Sequence, residues 1–228
     1  WKLNELTNAP FSTFYKNESQ FILSASPERY IKKEENKITS QPIKGTAKRG
    51  KTKEEDEQIK LELSQNEKER SENIMIVDLV RNDLSRTAKK SSVKVKELCE
   101  VYTFETVHQM ISTISSNVSI DLSITEILHS LFPMGSMTGA PKLRSMELIE
   151  HFESFKRGIY AGAIGYILPS GDFDFNVVIR SAIYDSKEKV VNIPVGSAIT
   201  IDSIPDMELA ECEVKINKIQ KILSRALV

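Results

Sequence analysis

A lysine in a stiff frame is the first residue here with the makings of chemistry. Lys44 lies within Pro42-Ile43-Lys44-Gly45-Thr46, sixteen positions after Glu28. Pro42 fixes its own φ and pushes the preceding residue toward extended geometry. Gly45 lets the backbone turn or come close to a ligand. Lys44 is therefore expected at a strand end or tight loop. A lysine becomes a nucleophile only where desolvation or a neighbouring cation favours the neutral amine, and Lys48 and Arg49 are candidate cations. Taken alone, the five residues fit a solvated loop lysine better than a nucleophile. A second pattern is acidic. Glu69 and Glu72 are three apart, as are Glu208 and Glu211, with Lys215 one turn beyond Glu211. Each pair would share a helix face. Two carboxylates from two helices suit a Mg²⁺ that keeps positions open for a substrate carboxylate, though such pairs also line ordinary solvated faces. Arg180 sits in an apolar run and needs an anionic partner, from the protein or from a ligand. The small-residue loop Phe132–Lys142, leading into a helix, is a candidate anion site.

Composition narrows the function classes. The chain has 228 residues, 31 basic and 32 acidic, with a net charge of -1, so no global field draws nucleic acid or an anionic membrane. Two cysteines, Cys99 and Cys212, make no disulfide framework and fit a reducing cytosol. No apolar run approaches the ~20 residues needed to span a bilayer. His108, His129 and His151 lack zinc spacing. Neither a dinucleotide nor a Walker loop is present, nor a nucleophile elbow. The start, Trp1-Lys2-Leu3-Asn4, reads as a helix cut in mid-element, so an N-terminally truncated chain is expected, with residues 1–228 forming one domain.

The elements that must position these residues follow from periodicity. Residues 11–16 and 20–25 form one expected hairpin, and 29–33 and 36–42 another. The charged run 47–58 is expected to be solvated. A helical pattern covers 54–86, with Ile74, Val77 and Leu84 near one face and Asp78, Arg81, Asn82 and Asp83 as a polar set. Strands are expected over 93–103 and 105–119, a helix over 123–132, and another over 141–153 with Pro141 in its first turn. Strands return over 158–168, 172–185 and 189–195, before a last helix over 205–226. Strands and helices are grouped, without a βαβ rhythm, which predicts α+β with mainly antiparallel sheets.

Six stretches in order carry a family resemblance. They are Ser26-Pro27-Glu28-Arg29, Pro42-Ile43-Lys44-Gly45-Thr46, Asp78-Leu79-Val80-Arg81-Asn82-Asp83-Leu84, Gly135-Ser136-Met137-Thr138-Gly139-Ala140-Pro141-Lys142, Ile179-Arg180-Ser181-Ala182 and Ile201-Asp202-Ser203. Together they resemble the chorismate-utilising enzymes, the family of anthranilate, aminodeoxychorismate, isochorismate and salicylate synthases. Lysine at position 44 resembles the aminodeoxychorismate synthase component I branch; anthranilate-forming members usually carry alanine there. The resemblance implies a sandwich of mainly antiparallel β-sheets flanked by helices. It also implies further family sheet upstream of Trp1.

The implied chemistry is specific. Mg²⁺ on Glu72 and Glu211, supported by Glu69 and Glu208, would hold the ring carboxylate of chorismate. Arg180 and Tyr160, with backbone N–H groups near Gly196 and Ala198, would grip the enolpyruvyl carboxylate; some relatives have glycine where Ala198 stands. His108, Ser136 and Lys215 match further pocket positions. Glu28 would protonate the departing C4 hydroxyl, and Lys44 would attack C2. Ammonia from a glutamine amidotransferase would then enter at C4, in p-aminobenzoate and folate synthesis. No glutaminase pattern is present in this chain. Anthranilate or isochorismate synthesis is the alternative within the family, and an inactive fragment that only binds an amidotransferase is the alternative outside it.

Overall fold

Hairpins open the chain where the aromatic and β-branched runs predict them. The computed structural model describes residues 2–226, which divide into two compact units. The first comprises the described residues up to Pro27, Arg157–Tyr160, and those from Val178 onward; the second comprises Glu28–Lys156 and Ala161–Val177.

In the first unit a short helix α1 (Lys2–Thr7) precedes β1 (Phe11–Asn17) and β2 (Gln20–Ser26), which pair antiparallel from Phe11↔Ser26 to Asn17↔Gln20. Two strands from the far end of the sequence complete the sheet. β10 (Ser181–Asp185) pairs with β2, and β11 (Val190–Asn192) pairs with β10, giving the order β1-β2-β10-β11. Ile22, Ser24, Ala25 and Ala182 are buried, and the Ser181 hydroxyl donates to Ser24 Oγ at 2.9 Å. The long helix α7 (Pro205–Ala226) packs on α1.

The second unit is built on β7 (Val107–Asn117), whose residues are buried almost without a break, as in a strand covered on both faces. β6 (Lys94–Thr103) pairs along one edge of it. Along the other run β5 (Ile43–Lys48) and β4 (Lys37–Gln41), so that Ile43 faces Ile111 and Lys37 faces Asn117. Pro42 marks the junction of these two strands. It has no N–H to give, but its carbonyl accepts from Ser112 N at 3.3 Å. β3 (Arg29–Glu34), β9 (Phe173–Val177) and β8 (Ala163–Ile167) extend the sheet, which is antiparallel throughout. The fold is α+β with antiparallel sheets and flanking helices.

The helical pattern over 54–86 is two helices, α2 (Lys53–Gln65) and α3 (Glu67–Ser85). Asn66 separates them. Its side chain accepts from Glu69 N at 3.0 Å and caps α3, the role asparagine prefers to a helix interior. α3 packs on β5, β6 and β7. Its buried face is Asn73, Ile76, Val77, Val80, Asp83 and Leu84, while Ile74, expected inside, is 45% exposed. Asn73 takes the inward place because its Oδ1 accepts from the buried hydroxyl of Ser112 and from the Cys99 thiol.

α4 (Ile124–Leu131) starts on a Ser123/Glu126 capping box; α5 (Gly135–Thr138) and α6 (Lys142–Phe152) follow, with Pro141 as N-cap of α6 rather than inside its first turn. The run 158–168 keeps only β8 as strand. The run 172–185 is divided at Arg180, whose φ of 51° ends extended pairing; β9 belongs to one sheet and β10 to the other.

Asp83 and Lys142 form a buried ion pair. Lys142 Nζ donates to Asp83 Oδ2 at 2.6 Å and to Pro133 O at 2.7 Å. Removing one partner of such a pair strands the other, so Lys142→Met is expected to cost about 3–5 kcal/mol at neutral pH. Burial raises the Asp83 pKa, so protonation of the stranded carboxyl should shrink that loss in acid. Urea denaturation at pH 7 and pH 5 measures both; an equal loss at the two pH values would contradict the stranded-charge account.

Candidate active site

The site begins with an irregularity in β5. Pairing with β7 shifts register between Ile43 and Thr46, so Lys44 and Gly45 occupy a bulge. Gly45 has φ 89°, a conformation side chains rarely take, and a Cβ there would lie 3.3 Å from Glu69 Oε2. Lys44 is half-buried at this bulge. The Pro…Gly frame thus places Lys44 in a strand bulge rather than in a loop.

Glu28 immediately precedes β3 and is 6% exposed. Its carbonyl accepts from Val177 N at 3.1 Å, anchoring its backbone to the sheet. Its carboxyl is hydrogen-bonded by the Ser136 hydroxyl and the Ile43 N–H and lies in the field of the Lys44 ammonium. Burial outweighs these three and pushes its pKa up to about 7. Gly135 makes the Ser136 contact sterically feasible: a Cβ at position 135 would stand 2.8 Å from Leu79 Cδ2. The small-residue loop 132–142 therefore brings a hydroxyl to Glu28. This unit unites Glu28, Lys44 and Ser136, with Glu69 beside the bulge.

His108 is fully buried, and both ring nitrogens are engaged by protein groups. Nδ1 lies 3.0 Å from Thr103 Oγ1 and Nε2 lies 2.9 Å from Asp56 Oδ1. Asp56 also accepts from Arg49 at 2.7 and 2.8 Å and from Gly50 N at 2.8 Å. The Arg49 hydrogen bonds hold the Asp56 carboxyl far below the usual carboxylate range. An ionised Asp56 selects the tautomer with the proton on Nε2, leaving Nδ1 to accept from Thr103. Two expectations change here. The run 47–58 is not merely solvated, because Arg49 and Asp56 within it fix His108. Arg49, a candidate cation for Lys44, is already paired.

In the first unit, Tyr160, Arg180, Gly196, Glu211 and Lys215 lie together. Arg180 is half-buried, and its guanidinium donates to Lys215 O at 3.3 Å. Burial lowers its pKa, and Glu211 and Tyr160 oppose that shift. Lys215 Nζ donates to Gly196 O at 2.8 Å and meets Glu211 at 2.5 Å. A Cβ on Gly196 would stand 3.2 Å from the hydroxyl of Tyr160, which is buried and carries the Arg157 guanidinium over its ring. Ala198 lies two residues on, its carbonyl accepting from Ser203 at 3.4 Å. Glu211 acts on Arg180 through the field of its charge, while its ion pair is made with Lys215.

The four glutamates divide by unit. Glu69 and Glu72 are half-buried on α3; on α7, Glu208 is buried and Glu211 is exposed and ion-paired. Among the described residues no three His, Cys, Asp or Glu side chains converge as a metal site. The donors are all carboxylate oxygens, which suit a hard cation such as Mg²⁺, and each helix contributes two.

Sequence reasoning missed one feature entirely. In the second unit a narrow cavity of about 20 Å³ is lined by Glu28 and Ser136 together with Tyr30, Asp83, Leu131 and Met134. Only the partnership of Asp83 with Lys142 and the inward side chain of Tyr30 reveal it. Neither is encoded in local spacing.

An antiparallel α+β fold carrying these motifs in this order defines a class, and the chain belongs to the family of chorismate-binding enzymes, which matches it over residues 1–221. Among its relatives is the chloroplastic aminodeoxychorismate synthase of Arabidopsis thaliana, 45% identical over 93% of this chain and 23% of the relative. Aminodeoxychorismate synthase component 1 of Escherichia coli (strain K12) is 40% identical over 98% of this chain and 49% of its own. Anthranilate synthase component I from Streptococcus pneumoniae TIGR4 has a crystal structure that matches with a TM-score of 0.83 at 32% identity, covering 94% of this chain and 48% of that one. The chain spans about half, or less, of the length of these relatives. Among the described residues no helix is long and apolar enough to cross a membrane.

Proposed function

We propose that this chain carries the chemistry of chorismate amination at C4, giving 4-amino-4-deoxychorismate for p-aminobenzoate and folate synthesis. The observation that carries the reading is Glu28: a buried carboxyl with a pKa of about 7, beside Lys44 and bonded to Ser136. Such a group is half protonated at neutral pH, the condition under which an acid is both available and strong enough to act.

In this reading the neutral amine of Lys44 forms a bond to C2 of chorismate. Both ring double bonds shift by one position toward C4, the C4–O bond breaks, and the Glu28 proton leaves with the hydroxyl as water. Ammonia then attacks C4, the C2–N bond to Lys44 breaks, and the incoming nitrogen loses a proton. Arg180 and Tyr160, with Gly196, Ala198 and Lys215 around them, would take a substrate carboxylate. His108, fixed by Asp56, would orient the pocket. Glu72 and Glu211, supported by Glu69 and Glu208, would be Mg²⁺ ligands, and the metal would supply a positive charge for the ring carboxylate. A glutamine amidotransferase would supply the ammonia. Buried Cys99 and half-buried Cys212, both unbridged, suit a reducing cytosol.

A second reading, anthranilate formation, is favoured by a relative named anthranilate synthase component 1 of Aquifex aeolicus (strain VF5), 35% identical over 98% of this chain. The two are separated by product. Incubated with chorismate, Mg²⁺ and ammonium, the protein is expected to yield 4-amino-4-deoxychorismate on liquid chromatography, and chelation of the metal should stop it. Anthranilate as the sole product would overturn the C4 assignment.

A further inference from the structure

We propose that the cavity beside Glu28 holds an ordered water, fixed by Tyr30 and Asp83, which orients the Glu28 carboxyl; the water site stands on the cavity alone, and its catalytic effect rests on the reading of Glu28 as the acid. Tyr30 and Asp83 are 6% and 4% exposed, and both line the same cavity as Glu28 and Ser136. Tyr30 Oη and Asp83 Oδ1 have no hydrogen-bond partner among the described residues. Lys142 holds only the other oxygen, Oδ2, and the Arg86 guanidinium stands 4.0 Å from Oδ1, beyond hydrogen-bond reach. A buried hydroxyl and a buried carboxylate oxygen left without partners are costly. One water relieves both, because it accepts from the tyrosine O–H and donates to the carboxylate. The space suffices: about 20 Å³ exceeds the minimum of roughly 10–15 Å³ that a water requires.

Such a water has a second proton to donate, and the remaining polar groups on the cavity wall include Glu28 and Ser136. A hydrogen bond in that direction joins the Asp83–Lys142 pair and Tyr30, each through the water, to the acid. Asp83 and Tyr30 are then positioning residues. They never touch substrate, but they set the direction in which the Glu28 carboxyl presents its proton.

Two measurements on the protein test the proposal. A high-resolution crystal structure is expected to show an ordered oxygen within hydrogen-bond distance of Tyr30 Oη and Asp83 Oδ1; a dry cavity overturns the site. Tyr30→Phe keeps the ring, which packs edge-on against Phe132, and removes only the hydroxyl. It is expected to lower kcat about tenfold with KM unchanged, as misorientation of a reacting group does, and to leave the melting temperature no higher than before. An unchanged kcat would overturn the positioning role, and a raised melting temperature beside it is the signature of a hydroxyl that had no partner. The first measurement does not depend on which reaction the protein performs. Should the product prove to be anthranilate, the kcat and KM of Tyr30→Phe are measured on that reaction, where a tenfold loss supports the positioning role and an unchanged kcat overturns it.

Discussion

Mixed with chorismate in the absence of ammonia, the protein is expected to gain the mass of chorismate less one water, on the peptide that contains Lys44. Two features of the structure and one of the chemistry support this expectation. Lys44 stands in a bulge of β5, so its direction is set by the strand rather than by a mobile loop. Its neighbour Glu28 is held by Ser136 and Ile43 with a pKa of about 7, so near neutrality half of the molecules carry a proton for the leaving hydroxyl. Direct attack by ammonia at C2 leads toward anthranilate chemistry, whereas placing nitrogen at C4 calls for a first nucleophile at C2. A protonated Glu28 also loosens its attraction for the lysine, which an ionised partner would hold as an ammonium. Lys44→Ala should lose the adduct, cut C4 amination at least ~10²-fold, and shift any surviving amination toward C2. Lys44 is half-buried and ends no helix or core cluster, so the variant should melt close to the parent. Intact mass spectrometry, peptide mapping and product analysis decide the matter. Unchanged aminodeoxychorismate formation by Lys44→Ala would falsify the nucleophile assignment.

The fold was legible where hydrophobic pattern and turn chemistry agree. Phe11 to Ser26 reads as a hairpin from sequence and is one, and α7 begins at Pro205 as its pattern requires. The pattern failed where a polar residue took an inward place through a distant partner. Asn73 displaces Ile74 from the buried face of α3 because Ser112 and Cys99 on other elements satisfy its amide. No window over residues 54–86 contains that information. Asn66 was more readable: asparagine inside a helical pattern is as strong a cap as a weak helix former, and weighing it so divides α2 from α3. Charge runs were the poorest guide. Arg49 and Asp56 look solvated among their neighbours, yet they lock His108, and only the pairing of β5 with β7 brings them to it. The candidate site follows the same division. Glu28, Lys44 and Ser136 came from motif order and the structure brings them together, whereas Tyr30 and Asp83 belong to the cavity only through tertiary packing.

Replacing Glu28 by glutamine is expected to make the protein both less active and more stable above neutral pH. The carboxyl ionises near 4.5 in an unfolded chain and near 7 in the folded one, because burial opposes its charge more than Ser136, Lys44 and the Ile43 N–H favour it. Between these values the folded state keeps a proton that the unfolded state releases. Stability therefore falls as pH rises through that window and levels off above about 7. The shift corresponds to about 3 kcal/mol withheld from the native state at pH 8. Glutamine has the same shape, and its amide oxygen accepts a hydrogen bond without ever ionising. Glu28→Gln should match the parent's stability near pH 4.5 and exceed it at pH 8, by a margin approaching that figure. Catalysis moves the other way. Without a proton for the C4 hydroxyl, turnover should fall by about 10²–10⁴. In the parent, only the protonated fraction of Glu28 works, so wherever Lys44 is already neutral the rate should decline tenfold per pH unit above about 7. Glu28→Gln has no such group, and its residual rate should lose that alkaline limb. Denaturation curves and pH–rate profiles of the two proteins, measured side by side from pH 5 to 9, give all of these quantities. A glutamine variant that keeps the parent's turnover would remove Glu28 from the role of acid, and one no more stable than the parent at pH 8 would overturn the raised pKa.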